Sequence, residues 1–243
     1  MTAAKPHAAR TNSEGKAIAN QLLLALPDAE FRMMRPHLSF VDLPGHLRLH
    51  NPHRTLNFVH FPNSGLISLV IEMSDGKSVE AGVLGKEGVS GTPALVGISK
   101  SPILEVVQIA GHGFRIKVSA LREILLLQSA PRLQAILERY AAGLGMQMAQ
   151  TAACNRLHGI EERLARWLLM AQDRVGSKTV RITQDFLATM LGTDRPTVTA
   201  AAGILKRQGL IRHSRGAVEI VSRRNLENFA CECYAVVAQY NGG

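Results

Sequence analysis

No stretch of this chain approaches the roughly 18 consecutive apolar residues that a membrane-spanning helix needs, so a helical span is excluded. Cysteine is scarce. The three present, Cys154, Cys231 and Cys233, are not placed like a disulfide framework, which fits a reducing compartment and predicts a cytoplasmic protein. The first 15 residues lack the apolar core of a secretion signal and are expected to be a disordered tail. Catalytic signatures are missing as well: there is no Gly-x-Ser-x-Gly elbow, no His-Glu-x-x-His and no P-loop, since Gly85-Lys86 is followed by Glu87 rather than Ser or Thr. No enzymatic activity is expected, and no cofactor.

What is present is enough apolar residue, 46% of 243, to bury a core in one or two domains. The net charge of +9 is uneven. Residues 156–224 hold 13 Lys and Arg against 6 Asp and Glu, whereas residues 1–155 hold 15 against 11. A local basic excess attracts phosphate backbones and releases their counterions, giving affinity without sequence preference.

That excess surrounds the most informative segment. Residues 183–199 read Thr-Gln-Asp-Phe-Leu-Ala-Thr-Met-Leu-Gly-Thr-Asp-Arg-Pro-Thr-Val-Thr. Thr183 suits an N-cap, with Phe186, Leu187 and Met190 as the inner face of the helix that follows. Gly192 supplies a turn. Asp194 caps a second helix, in whose first turn Pro196 costs little because its missing N–H has no helical partner. Val198, Ala201, Ala202 and Leu205 recur at helical spacing as its inner face. Small Ala188 lets the two helices cross closely, the outline of a helix-turn-helix. Leu210 to His213, a turn at 214–216 and Ala217 to Val221 follow as a β-wing. The second helix of such a motif enters the major groove, so Arg195, Thr197, Thr199 and Ala200 are the expected base readers. Arg195 leads because a guanidinium pairs bidentately with guanine. Thr183, Gln184, Lys206, Arg212 and Arg215 are expected on the DNA backbone.

Upstream, Gly15 to about Leu38 reads as helical. Phe40 to about Val118 changes to short strands broken by turns, with Asp75-Gly76 placed as a type I′ hairpin turn, the texture of an antiparallel roll or jelly roll. From Pro131 to about Asn155, Leu133, Leu137, Tyr140, Leu144, Met148 and Thr151 recur at steps of three and four. This narrow seam is what a helix pairing with a second copy shows, and a helix packed on its own roll is the competing reading. Another helix, opened by Gly159, leads to the reading motif. His46, His50 and His53 converge on a metal only if a turn gathers them, and are otherwise polar surface. Cys231 and Cys233, two apart in an expected helix, diverge and read as core thiols. No metal site is expected. The chain thus divides into a tail at 1–15, a β-roll sensor domain with an N-terminal helix at 16–130, a dimerisation helix at 131–156 and a winged helix-turn-helix DNA-binding domain at 157–243. The fold class is α+β.

This order resembles the bacterial cyclic-AMP receptor / fumarate-nitrate regulator (Crp/Fnr) family, from about Ile18 to Phe229. The resemblance is most specific at Thr183–Leu187, Leu191-Gly192, Arg195-x-Thr197-Val198 and Leu205-x-x-x-Gly209-Leu210-Ile211. It implies a jelly roll like a cyclic-nucleotide-binding domain and a homodimeric transcription regulator on double-stranded DNA, with RNA polymerase as a candidate partner. The family's recognition helix runs Ser-Arg-Glu-Thr-Val-x-Arg; here Asp194, Pro196 and Ala200 replace the Ser, the Glu and the second Arg, so the operator should differ. The family's cyclic-nucleotide binders carry a Gly-Glu-Leu and an Arg-Ser/Thr-Ala segment. This chain has Gly85-Lys86-Glu87-Gly88-Val89-Ser90-Gly91-Thr92 in their place, and no Arg between Arg54 and Arg115. A cyclic phosphate would lack its bidentate partner, so cyclic AMP is not expected to bind. An effector pocket, if the roll has one, is expected at Glu87, Ser90, Thr92 and Lys100, its ligand unknown. The family's iron–sulfur sensors need four Cys, and the N-terminal half has none. The competing function is a ligand-binding or protein-interaction module whose helix-turn-helix does not read DNA.

Overall fold

Short runs of β-branched and aromatic residues separated by glycine fill the chain from Phe40 to Val118, and in the computed structural model they pair into two antiparallel sheets. The structure describes residues 10–126, 130–214 and 216–241. Helices α1 (Gln21–Leu24) and α2 (Asp28–Met34) come first. Seven strands follow: β1 (Ser39–Leu43), β2 (Arg48–His50), β3 (Phe58–Pro62), β4 (Leu66–Glu72), β5 (Ser78–Leu84), β6 (Leu104–Ile109) and β7 (Gly111–Lys117). Then come α3 (Val118–Leu126), α4 (Pro131–Leu157), α5 (Ile160–Val175), β8 (Thr179–Val180), α6 (Gln184–Met190), α7 (Arg195–Arg207), β9 (Ile211–Ser214), β10 (Ala217–Ile220), α8 (Arg223–Phe229) and α9 (Cys233–Asn241).

The roll is the order β1-β7-β3 facing the order β2-β6-β4-β5. Leu43 meets Ile67, Leu69, Leu84 and Val107 between them, while Phe61 and Phe114 are fully buried with residues of α1–α4, each stabilising the fold by about 1.5–3 kcal/mol relative to exposure. The hairpin at Asp75-Gly76 forms with different geometry: Met73 N–H donates to Lys77 O, and only Gly76 of the turn has positive φ, at 82°. A type I′ turn needs two such residues, so this is a longer loop closed by one left-handed glycine.

The expected N-terminal helix is broken in two. Pro27 lacks the N–H to continue α1, and the Asn20 side chain caps α1 by accepting from Leu23 N. Residues 10–15 are held in place, not a tail: Arg10 is buried and donates to the carbonyls of Leu23 (2.7 Å) and Leu26 (2.6 Å), and Asn12 donates to Leu38 O. Residues 1–9 of the expected tail lie outside the described residues.

Helix α4 corrects the expected seam. Leu133, Leu137 and Leu144 are buried in the chain's own core, and Tyr140 and Met148 pack against it. Two observations explain the direction. Strand β5 is the edge of its sheet, and the buried Gln147 side chain covers that edge by accepting from Val83 N (3.0 Å) and donating to Val83 O (3.1 Å). Tyr140 lies on Gly88 so closely that a Cβ there would fall 2.3 Å from the phenol oxygen. The buried Glu30 of α2 fixes the other end, accepting from the free backbone N–H groups of Arg132 and Leu133. A three-four repeat reports that one face is buried without saying what covers it. Here the roll does.

Candidate nucleic-acid interface

The reading motif forms where its caps are. Thr183 Oγ1 accepts from Phe186 N (3.3 Å) to start α6, and Asp194 Oδ1 accepts from Thr197 N (2.8 Å) to start α7. Hydrogen bonds from Thr197, side chain and backbone, hold the Asp194 carboxyl below the usual carboxylate range. Gly192 turns the chain at φ 59°, and Thr193 N–H returns to Ala188 O. Leu187, Ala188, Met190, Val198, Ala201, Ala202 and Leu205 are buried as the spacing requires. Phe186 is the exception among the expected inner residues: it is half-buried and stacks on His46, ring centroids 4.8 Å apart.

With that face spent on the core, the start of α7 points to solvent. Arg195, Thr199 and Ala200 are exposed and Thr197 is half-buried. Arg195 Nη1 lies 3.4 Å from Asp185 Oδ1, with both side chains about two-thirds exposed (63% and 66%). An ion pair so wet is worth under about 1 kcal/mol and yields readily to a stronger acceptor. Thr199 Oγ1 is 2.9 Å from both Arg195 O and Gln184 Oε1, so the last-named side chain is tied to the recognition helix. Thr183 and Lys206 are exposed. In the wing, β9 and β10 pair Arg212 with Glu219, Nη1 to Oε2 3.6 Å. Arg215 lies outside the described residues.

The charge excess is less available than the sequence suggests. Arg166 and Arg174 are buried, each 3% exposed. Arg223 is engaged by Asp173, Glu227 and Tyr234. Arg181, exposed between β8 and α6, was not among the expected contacts; its place two residues before the Thr183 cap was the available signal.

The four residues expected at an effector pocket do not converge. Glu87 forms a buried ion pair with Arg174 of α5 (2.8 Å) and accepts from Gly85 N. Ser90 is fully buried, its Oγ accepting from His60 N (3.0 Å) and bonded to His60 Nδ1. Thr92 opens a 3-10 turn, and Lys100 is exposed on a bridge to Thr55. Gly91 N–H donates to both oxygens of buried Glu105 (3.0 and 3.1 Å). Burial raises the Glu105 carboxyl to about 7 and lowers its neighbours His50 and His60 to about 4 and about 3. Of the three histidines weighed for a metal, His50 is buried in that network, while His46 and His53 sit at left-handed turns apart from it.

Residues 162–229 match the family described as the Crp-like helix-turn-helix domain. A search of curated proteins found no match. Among solved structures, the c-di-GMP-responsive global regulator CLP of Xanthomonas campestris is 14% identical, covering 81% of this chain and 100% of its own, with a TM-score of 0.67. FixK2 from Bradyrhizobium japonicum is 17% identical over 80% of this chain and 98% of its own, TM-score 0.62. A CRP-family transcriptional regulator from Thermus thermophilus is 19% identical over 78% of this chain and 96% of its own, TM-score 0.62. None of the helices among the described residues is long and apolar enough to cross a membrane.

Proposed function

We propose that this chain, with a Crp-like helix-turn-helix domain at residues 162–229 on the Crp/Fnr fold, is a homodimeric, sequence-specific transcription regulator whose roll takes no cyclic nucleotide. One observation carries the reading: the first two turns of α7 bury Val198, Ala201 and Ala202 and leave Arg195, Thr199 and Ala200 outward, the disposition a major-groove helix needs. Arg195 reads a guanine edge, Thr197 and Thr199 reach neighbouring positions, and Ala200 meets a thymine methyl. Thr183, Gln184, Lys206, Arg212, Arg215 and Arg181 hold phosphates and set register.

Dimerisation uses the side of α4 that the roll leaves free. Ala135, Arg139, Ala142, Met146, Ala149 and Ala153 are exposed and recur in steps of four and three. The four alanines among them suit close approach of a second copy of the helix. Two α7 helices then enter successive major grooves roughly 34 Å apart. The loop at 85–92 supports the exclusion of cyclic nucleotide. Glu105 already occupies the Gly91 amide, Glu87 is engaged with Arg174, and no guanidinium faces an incoming phosphate from within residues 55–114.

Selection of bound duplexes from a random pool, with and without candidate effectors, tests the reading. A two-fold-related motif is expected. Complete indifference to DNA at low salt would favour a module for protein or ligand contacts instead.

A further inference from the structure

The three cysteines of this chain meet at one point. Cys154 Sγ, Cys231 Sγ, Cys233 Sγ and a ring nitrogen of His158 all lie within 4.8 Å of one another. Two pairs are closer: Cys154 Sγ to Cys231 Sγ, and Cys233 Sγ to His158 Nδ1, each 3.5 Å. The sequence expectation fails because Cys231 and Cys233 do not share a helix. Helix α8 ends at Phe229, Cys231 lies in the link, and Cys233 opens α9, so both thiols turn the same way. Cys154 and His158 stand four apart at the end of α4, where His158 N–H closes the last turn on Cys154 O.

The geometry points to a Cys3His site for a thiol-preferring divalent cation, zinc above all, fastening the end of α4 to the α8–α9 link. Tetrahedral zinc with sulfur at about 2.3 Å and nitrogen at about 2.0 Å separates its ligand atoms by about 3.5–3.8 Å. Two pairs already stand near that spacing, and the longest separation closes by about 1 Å through side-chain rotation.

The surroundings are those a metal site uses. His158 presents Nδ1 to the thiols while its Nε2 lies 3.2 Å from Glu232 Oε2, a carboxylate that fixes the tautomer and strengthens the ligand. Gln150 Nε2 donates to Cys233 Sγ (3.0 Å), the kind of bond that steadies a thiolate. Three thiolates and one dication leave a single negative charge. Buried Arg166, whose Nη1 lies 3.4 Å from Thr151 Oγ1 one turn before Cys154 and whose Nε has no hydrogen-bond partner among the described residues, supplies the counter-charge. All three cysteines are buried and unbridged.

The test uses the full chain purified under reductant. One zinc per chain is expected by elemental analysis after exhaustive dialysis against metal-free buffer. Cobalt(II) replacing it should give thiolate charge-transfer bands and the intense d–d bands of tetrahedral coordination. Cys233→Ser should abolish that spectrum. Should that variant not fold, Glu232→Gln changes an exposed residue and should weaken zinc by about 10–100-fold while leaving the helix content unchanged. Failure to retain zinc together with a cobalt spectrum lacking thiolate bands would overturn the assignment. A Cys154–Cys231 disulfide in the reduced preparation would do so too, as would undiminished zinc affinity in Glu232→Gln. None of these outcomes depends on DNA binding.

Discussion

Glu80 is the sharpest place to test how the roll and the reading head are joined. It lies on β5, 5% exposed, and its two oxygens accept from Ser68 Oγ (2.5 Å) and from Nε1–H of Trp167 on α5 (2.7 Å). Burial raises its carboxyl from 4.5 to about 7, although both hydrogen bonds and the charges of Arg166 and Arg174 pull the other way. A carboxyl whose folded pKa lies above its unfolded one favours folding below the unfolded value, and that advantage is lost as pH rises through the folded value. Between about pH 5 and about pH 8 the loss from this one group integrates to about 2–3 kcal/mol, taking about 1.36 kcal/mol per unit. Glu80→Gln keeps an oxygen for the indole and an amide for Ser68 but cannot ionise. The assay is urea unfolding of both proteins at the two pH values and one protein concentration, followed by fluorescence of Trp167, the only tryptophan in the chain. The variant should gain stability relative to its parent by that amount on going from the lower to the higher pH. Glu105, His50 and His60 titrate in both proteins and cancel in the difference. A double difference below about 0.5 kcal/mol would refute the reasoning, because it would mean that the carboxylate is solvated in the folded chain.

Three further outcomes are expected. Arg195→Ala should cost about 1–3 kcal/mol at one base pair and relax preference there, read by repeating the duplex selection; an unchanged motif would remove Arg195 from the base readers. Gly88→Ala should lower the midpoint of thermal unfolding, by about 1–3 kcal/mol of stability, because the new methyl would fall 2.3 Å from Tyr140 Oη and an overpacked core must shift. Ala142→Glu should turn dimer into monomer in sedimentation at micromolar concentration while the circular dichroism stays the same; a persistent dimer would place the interface elsewhere.

The sequence spoke most clearly where local chemistry alone decides the structure. Thr183, Gly192 and Asp194 are read correctly because a cap and a left-handed turn depend on the residue itself and its near neighbours. The roll was legible as texture, from the spacing of strands and glycines. It was not legible as pairing, since which edge stays open depends on long-range register. That edge decided the direction of α4. Cys231 and Cys233 were misread for the converse reason: the break at Ala230, which turns both thiols one way, carries no proline or glycine to announce it. Glu87, expected to face a ligand, meets Arg174 from 87 residues further on, a contact no pattern contains.

That last contact changes how a signal would travel. The largest hydrophobic cluster draws Leu66, Val70, Val83, Leu104 and Ile109 from the roll together with α5 and the reading motif, so the head packs directly on the sheet as well as leading on from α4. Three polar or aromatic contacts reinforce the seam: Glu80 with Trp167, Glu87 with Arg174, and His46 with Phe186. Two of them end on α5, which leads into β8 and α6. A ligand that displaced Glu87 from Arg174 would leave a buried guanidinium with only the carbonyls of Met170 and Val83 as partners, a loss of several kcal/mol. That energy exceeds the roughly 1–3 kcal/mol typical of allosteric coupling. A ligand that moved Glu87 would therefore act first on α5, the helix that leads into β8 and α6.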